Sequence, residues 1–209
     1  LARAALLDTA LVIPAYNDQS SLDHLLEQVR VMDCFAQVVV VDDGSDTPLH
    51  APGATLIRHG VNQGAGTARN TGLDAVTAPY LLYFDVNDHL TDELPLLLAD
   101  LPARAPFDAC LFKHADTRLT AKGHWGQPAS DELWWQEAGL DKEPLSPAPP
   151  ATWPLLARTQ NYPWNKILRT AFLREAGIRS GTTTVHNDIS LHWQVFLAAE
   201  TVLSSARIC

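Results

Sequence analysis

Basic residues are scarce in this sequence: 15 Lys and Arg stand against 24 Asp and Glu, for a formal net charge of −9. An acidic surface repels nucleic-acid backbones, so DNA and RNA are not expected partners. A small phosphorylated ligand stays compatible with it, because a metal ion or one local Arg offsets the repulsion. Cysteine is also scarce. Cys34, Cys110 and Cys209 are odd in number and have no short spacing. That pattern predicts neither a disulfide framework nor a zinc site, and it suits a reducing cytoplasm. No apolar run approaches the roughly 18 residues of a membrane-spanning helix, so none is expected. The first residues lack a long apolar core and a small-residue cleavage site, so no signal peptide is expected. The chain starts at Leu1 without Met and stops at Cys209 just after an apolar segment. A trimmed chain or a piece of a longer protein is expected.

What is present reads as a globular α/β chain. Its 209 residues, 46% hydrophobic and 19% charged, allow one large domain or two small ones with an ample core. Strands are predicted at "ALVIPAY" (Ala10 to Tyr16), "AQVVVVDDGS", "ATLIRHG", "YLLYFDV" and "DACLFKH". Helices are predicted between them. "SSLDHLLEQVRVM" starts from Ser20 or Ser21, "AGTARNTGLDAVT" follows Gly64, and "TDELPLLLADLP" is interrupted or started late by Pro95. Continuous apolar strands alternating with amphipathic helices imply a mainly parallel sheet covered on both faces. Residues 123–164 hold most of the Trp and many Pro and read as an irregular excursion. Helices are predicted again over "NKILRTAFLREAG", closed by Gly177, and over "DISLHWQVFLAAETVL".

In such sheets ligands bind beyond the carboxyl ends of the strands. Two strands end there in acids, one in Asp42-Asp43 and one in Asp85. "VVVVDDGSDT" reads either as a solvated loop or as a carboxylate accepting hydrogen bonds from a base or ribose. "NQGAGTARNTG" is neither a dinucleotide fingerprint nor a P-loop, since Arg69 stands where a third glycine would be and no Gly-Lys-Ser/Thr follows. Arg69 either pairs with a diphosphate or is satisfied by Asp42, Asp43 or Asp85. Carboxylates in "FDVND" repel phosphate, so a site joining the two needs a hard divalent cation between them. Asp188 in "VHNDISLHW" is a helix N-cap by default and a general base in the functional reading. His186 and His192, six positions apart, do not share one helical face and make a poor metal pair.

Taken in order, "LVIPAYND", "VVVVDDGSDT", "NQGAGTARNTGLDAV", "YLLYFDVNDHL", "YPWNKILRTAFLREAGI" and "HNDISLHWQVFLA" resemble the family 2 glycosyltransferases, inverting enzymes of the GT-A fold. The resemblance runs from about residue 10 to residue 203. It implies a nucleotide-sugar donor, usually UDP-linked, and a saccharide or glycolipid acceptor, in polysaccharide or glycoconjugate synthesis at the cytoplasmic side. It places Pro14, Ala15 and Tyr16 against the nucleobase, Asp18 near the base or ribose, and Asp42 or Asp43 at the uracil edge. Arg69 would lie near the diphosphate, and Asp188 would be the catalytic base. Asp85 and Asn87 take the first and last positions of the D-x-D motif. With Asp88 they would hold Mn²⁺ or Mg²⁺. Trp164, Asn165 and Lys166 would flank the acceptor side. Residues 1–115 would form the donor half and 116–209 the acceptor half of one domain, with sugar selection in the 123–164 excursion.

Two positions depart from the family pattern. Asn87 stands where the last acid of D-x-D usually ligates the metal, which lowers the expected affinity. Asn187 stands where Glu usually precedes the base, which removes a repulsive neighbour of Asp188. These departures motivate a second reading, a binding or scaffold domain with weakened catalysis. A third is a sugar-nucleotidyltransferase, but no Gly-rich, Lys-bearing triphosphate loop lies near the start.

Overall fold

The computed structural model describes residues 5–209. The signal-peptide reading rests partly on residues 1–4, which lie outside the described residues. The strands are β1 (Thr9–Ala15), β2 (Gln37–Asp42), β3 (Thr55–Arg58), β4 (Tyr80–Tyr83), β5 (Ala109–Lys113), β6 (Ser146–Pro147), β7 (Lys166–Arg169) and β8 (Val202–Ile208). They form one sheet in the order β3-β2-β1-β4-β7-β5-β8-β6. The pairs β3–β2, β2–β1, β1–β4 and β5–β8 are parallel; β7 and β6 run antiparallel to their neighbours. The mainly parallel expectation therefore holds, with two reversed strands.

All seven residues of β1 are buried. Its alternating side chains feed two cores: Leu11 and Ile13 face one side, Ala10 and Val12 the other. Helices α1 (Gln19–Met32) and α3 (Glu93–Asp100) pack their apolar stripes on the first side. Helices α2 (Ala65–Ala75), α5 (Ala129–Glu137), α6 (Trp153–Leu156), α7 (Thr170–Glu175) and α8 (Ile189–Ala198) contribute to the second. A short helix α4 (Thr117–Thr120) follows β5. Pro95 sits in the first turn of α3, where its missing N–H has no intrahelical acceptor to lose. Gly177 closes α7 with φ 66°, and Ile178 N–H donates to Leu173 O across the cap at 2.8 Å.

Four sequence expectations are corrected here. The cap of α1 is Asp18, whose carboxylate accepts from Ser21 N–H at 3.0 Å, rather than Ser20 or Ser21. The segment Lys166–Arg169 is a strand wedged between β4 and β5, and the helix begins only at Thr170. Residues Val202 and Leu203 belong to β8, not to the preceding helix. The 123–164 excursion is not wholly irregular: α5 forms in its proline-free stretch, α6 starts at Trp153 with Pro154 in its first turn, where a missing N–H costs no intrahelical bond, and β6 adds a two-residue edge strand.

Candidate active site

The site lies where the topology predicts, at the carboxyl ends of parallel strands. Strand β1 lies between β2 and β4, so Asp42 and Asp85 leave the sheet on the same edge. After β4 the chain turns tightly, with Asp88 N–H donating to Asp85 O at 3.1 Å. That turn presents Asp85, Asn87 and Asp88 to a cavity of about 390 Å³, within the usual size of small-ligand sites. Arg69, His114, Asp116, Arg118, Tyr162, Trp164 and Asp188 complete its charged and aromatic walls.

Arg69 projects from α2 and is only 4% exposed. It donates to Asp85 Oδ1 at 2.6 Å and to the Asn187 amide oxygen at 2.7 Å. Asn187, where the family usually carries Glu, is therefore a neutral acceptor for the same guanidinium that neutralises Asp85. Among the described residues, Asp88 has no such partner. Burial, with the nearby Asp85 charge added, pushes its carboxyl up to about 6 against the pull of Arg69. Asp188 occupies the N-cap position of α8, yet its side chain makes no capping hydrogen bond. Its carboxylate lines the cavity instead.

The approach of α2 to the Asn187 segment depends on Gly66. A Cβ there would stand 1.8 Å from Gly181 O. Gly181 N–H in turn donates to Asn187 O at 2.7 Å, so the contact reaches the residue beside Asp188. Gly66→Ala is expected to destabilise the fold by about 3 kcal/mol, the upper part of the overpacking range, because a backbone carbonyl must yield. Urea unfolding checks this, and an unchanged midpoint would contradict it.

Not all the expected residues reach the cavity. Pro14 and Ala15 are buried at the end of β1, and Tyr16 beside them is exposed. Asp18 is occupied as a helix cap. Asp42 is fully buried and accepts from Ser45 N–H, Leu49 N–H and Arg58. Asp43 accepts from His59, Gln63 N–H and Gly64 N–H. Both acids thus order the loops around the β2 terminus. Trp164 does line the cavity, but Asn165 and Lys166 are buried behind it and do not. His114, Asp116, Arg118 and Tyr162 were not anticipated. Asp116 and Arg118 follow directly after β5 in "KHADTR", so the strand-end rule would have found them. Arg118 pairs with Asp116 at 2.6 Å, and its hydrogen bonds lower that carboxyl to about 2.

Among the described residues, no group of three His, Cys, Asp or Glu stands ready for a metal ion. The available donors are the second oxygen of Asp85, the Asn87 amide and the carboxylate of Asp88, which makes no side-chain hydrogen bond. These are hard oxygen donors, and Asp88 is held high chiefly by burial, with the Asp85 charge adding to it. The set fits a divalent cation held with few protein charges.

A model of the family described as glycosyl transferase family 2 matches residues 10–114. The chain belongs to glycosyltransferase family 2. A pre-mycofactocin glycosyltransferase of Mycobacterium tuberculosis is 35% identical over 85 residues, covering 37% of this chain and 17% of that protein. An uncharacterized glycosyltransferase of Haemophilus influenzae is 30% identical over 90 residues, covering 38% and 29%. The crystal structure of S. aureus TarS 1-349 superposes with a TM-score of 0.75 at 21% identity, covering 96% of this chain and 59% of that one. Its complex with UDP-GlcNAc gives 0.74 at 21% identity, covering 96% and 57%. The fold of this family 2 chain is therefore GT-A-like. The chain spans less than two thirds of each of these proteins. No helix among its described residues is long and apolar enough to cross a membrane.

Proposed function

We propose that this chain carries the donor site and catalytic base of an inverting glycosyltransferase that moves a sugar from a UDP-sugar to a saccharide or glycolipid acceptor hydroxyl. One observation carries the reading. Asp188 forgoes its capping bond and faces the same cavity as the Arg69–Asp85 pair. UDP is favoured because the matching TarS structures hold UDP and UDP-GlcNAc.

The residues divide the work by chemistry. The nucleobase lies against Pro14, Ala15 and Tyr16, with Asp18 near the ribose. Asp42 or Asp43 serves the base edge through a remaining lone pair, since each already accepts from one side chain and two backbone N–H groups. Arg69 hydrogen-bonds the diphosphate, and a planar guanidinium suits that task. Asp188 removes the proton of the acceptor hydroxyl as its oxygen bonds to the anomeric carbon. The bond from that carbon to the phosphate oxygen breaks on the opposite face, and its electron pair leaves with UDP. Asp85, Asn87 and Asp88 would hold Mn²⁺ or Mg²⁺, which supplies further charge stabilisation to the leaving diphosphate. Residues 1–115 thus serve as the donor half and 116–209 as the acceptor half, with Trp164 on the acceptor wall. The pathway is polysaccharide or glycoconjugate assembly on the cytoplasmic side.

Calorimetry with UDP and Mn²⁺, followed by a UDP-sugar turnover assay, tests the proposal. Absence of UDP binding would end the donor-site reading.

The weakened-scaffold reading is favoured by one observation, the amide of Asn87 among the metal donors. Asn87→Asp separates the two. It is expected to strengthen Mn²⁺-dependent UDP binding about tenfold, or about 1.4 kcal/mol, by restoring a charged ligand. Turnover that rises in step indicates an enzyme with a tuned metal site. Tighter binding without turnover indicates a scaffold.

A further inference from the structure

Lys166 was expected at the acceptor surface, and it is instead 0% exposed. It opens β7 and shares a strand face with Leu168, which is the face covered by α5 and α8. Its ammonium donates to Tyr162 O and to the Asn165 amide oxygen, both at 2.5 Å. Between those two anchors runs the cavity wall. The Tyr162 and Trp164 rings stack there at 4.3 Å, and His114 meets both edge-on. A lysine wholly removed from water is rare and costly. An apolar residue would support a merely structural wall at lower cost, so the charge itself needs a reason.

The charged and titratable groups facing Lys166 come from three elements. Asp188 stands at the start of α8 and Asp131 on α5. His114 ends the run after β5, and His192 lies on α8. Burial pushes the two imidazoles down to about 4 and about 3, and the Lys166 charge adds to each shift. Both are therefore neutral near pH 7.

We propose that Lys166 is a positioning residue for the transfer reaction. From behind the cavity, its ammonium clips the Tyr162–Trp164 wall in place through the two hydrogen bonds to Tyr162 O and Asn165 Oδ1. The inference rests on the proposed glycosyl transfer. Burial pushes the ammonium down to about 7, against the pull of Asp188 and Asp131. The charge that strengthens its two hydrogen bonds to the wall is thus lost as pH rises through about 7, and the rate falls as the wall loosens.

The test compares the wild-type chain with Lys166→Met and Lys166→Arg. It measures kcat and KM for a UDP-sugar between pH 5.5 and 9, and UDP affinity by calorimetry. Lys166→Met is expected to lower kcat at least tenfold, keep UDP affinity within twofold and remove the alkaline limb. Lys166→Arg is expected to recover kcat and to remove that limb while keeping its charge. A Met variant that keeps both kcat and the limb overturns the proposal. So does one that loses UDP affinity as much as kcat, since that marks general collapse of the site.

If the wild type neither binds UDP nor turns over, the donor reading fails by itself, and unfolding decides on Lys166. The unfolded lysine titrates near its ordinary 10.5, so between pH 7 and 8.5 the unfolded chain binds more protons than the folded one. Stability then rises with pH across that window. A urea midpoint that rises in the wild type and stays level in Lys166→Met supports the buried ammonium, and a level midpoint in both overturns it.

Discussion

Asp188→Asn is expected to lower the proposed sugar transfer by about 10²- to 10⁴-fold, the range of a lost general base, and to leave UDP affinity within about twofold. The asymmetry follows from position. Asp188 belongs to the α8 end of the cavity, whereas the groups proposed for UDP stand on the β1, β2, β4 and α2 edge. The amide keeps the size of the carboxylate but accepts no proton from the acceptor hydroxyl. The side chain makes no capping hydrogen bond, so the change costs α8 little stability. Steady-state kinetics and calorimetry on one preparation check both halves. Retained turnover removes Asp188 as the base. A matching loss of UDP affinity makes it a donor-binding group instead.

Arg69→Met is expected to weaken UDP binding about 10- to 100-fold, as the loss of a charged hydrogen bond of roughly 1.5–3 kcal/mol requires. It also lowers stability. The guanidinium is buried, and its removal leaves Asp85 and the Asn187 amide without their donor. Breaking a buried pair from one side costs about 3–5 kcal/mol. The Asp85 side chain keeps 32% exposure, so water recovers part of that and the lower end applies. Urea unfolding and UDP titration separate the two effects. A stability loss with unchanged UDP affinity would make Arg69 a strut for Asp85 and nothing more.

Legibility in the sequence tracks how local each signal is. The runs that became β1, β2, β4 and β5 are continuous and apolar, and they lie at the expected places because buried parallel strands leave that imprint. The strand-end rule then led to Asp85 and to the turn after it. Lys166–Arg169 was misread because four residues do not separate a buried strand from a helix start. Its strand state is set by insertion between β4 and β5, a long-range event. The Val202–Ile208 strand was hidden in the same way, since its central Ser204 and Ser205 carry no apolar periodicity yet are fully buried.

The site was readable to a similar depth. Arg69, Asp85, Asn87, Asp88, Trp164 and Asp188, to which the family resemblance gives site roles, line one cavity, and those roles are what the proposed experiments test. The sequence could not reveal that Asp42 and Asp43 are engaged by backbone N–H groups of loops that the fold folds back onto them. Nor could it reveal the burial of Lys166, because lysine is almost always at the surface. Arg69 had two readings, diphosphate ligand or partner of an acid. The structure supplies the acid partner, and the guanidinium still lines the cavity.

A crystal structure with UDP and Mn²⁺ tests the donor-site assignment most directly. It should show the uracil against Pro14, Ala15 and Tyr16, the diphosphate within hydrogen-bond reach of Arg69, and the cation on Asp85, Asn87 or Asp88. Asp188 should remain open on the opposite side. A nucleotide bound elsewhere, or a cation away from the Asp85–Asp88 turn, would contradict it.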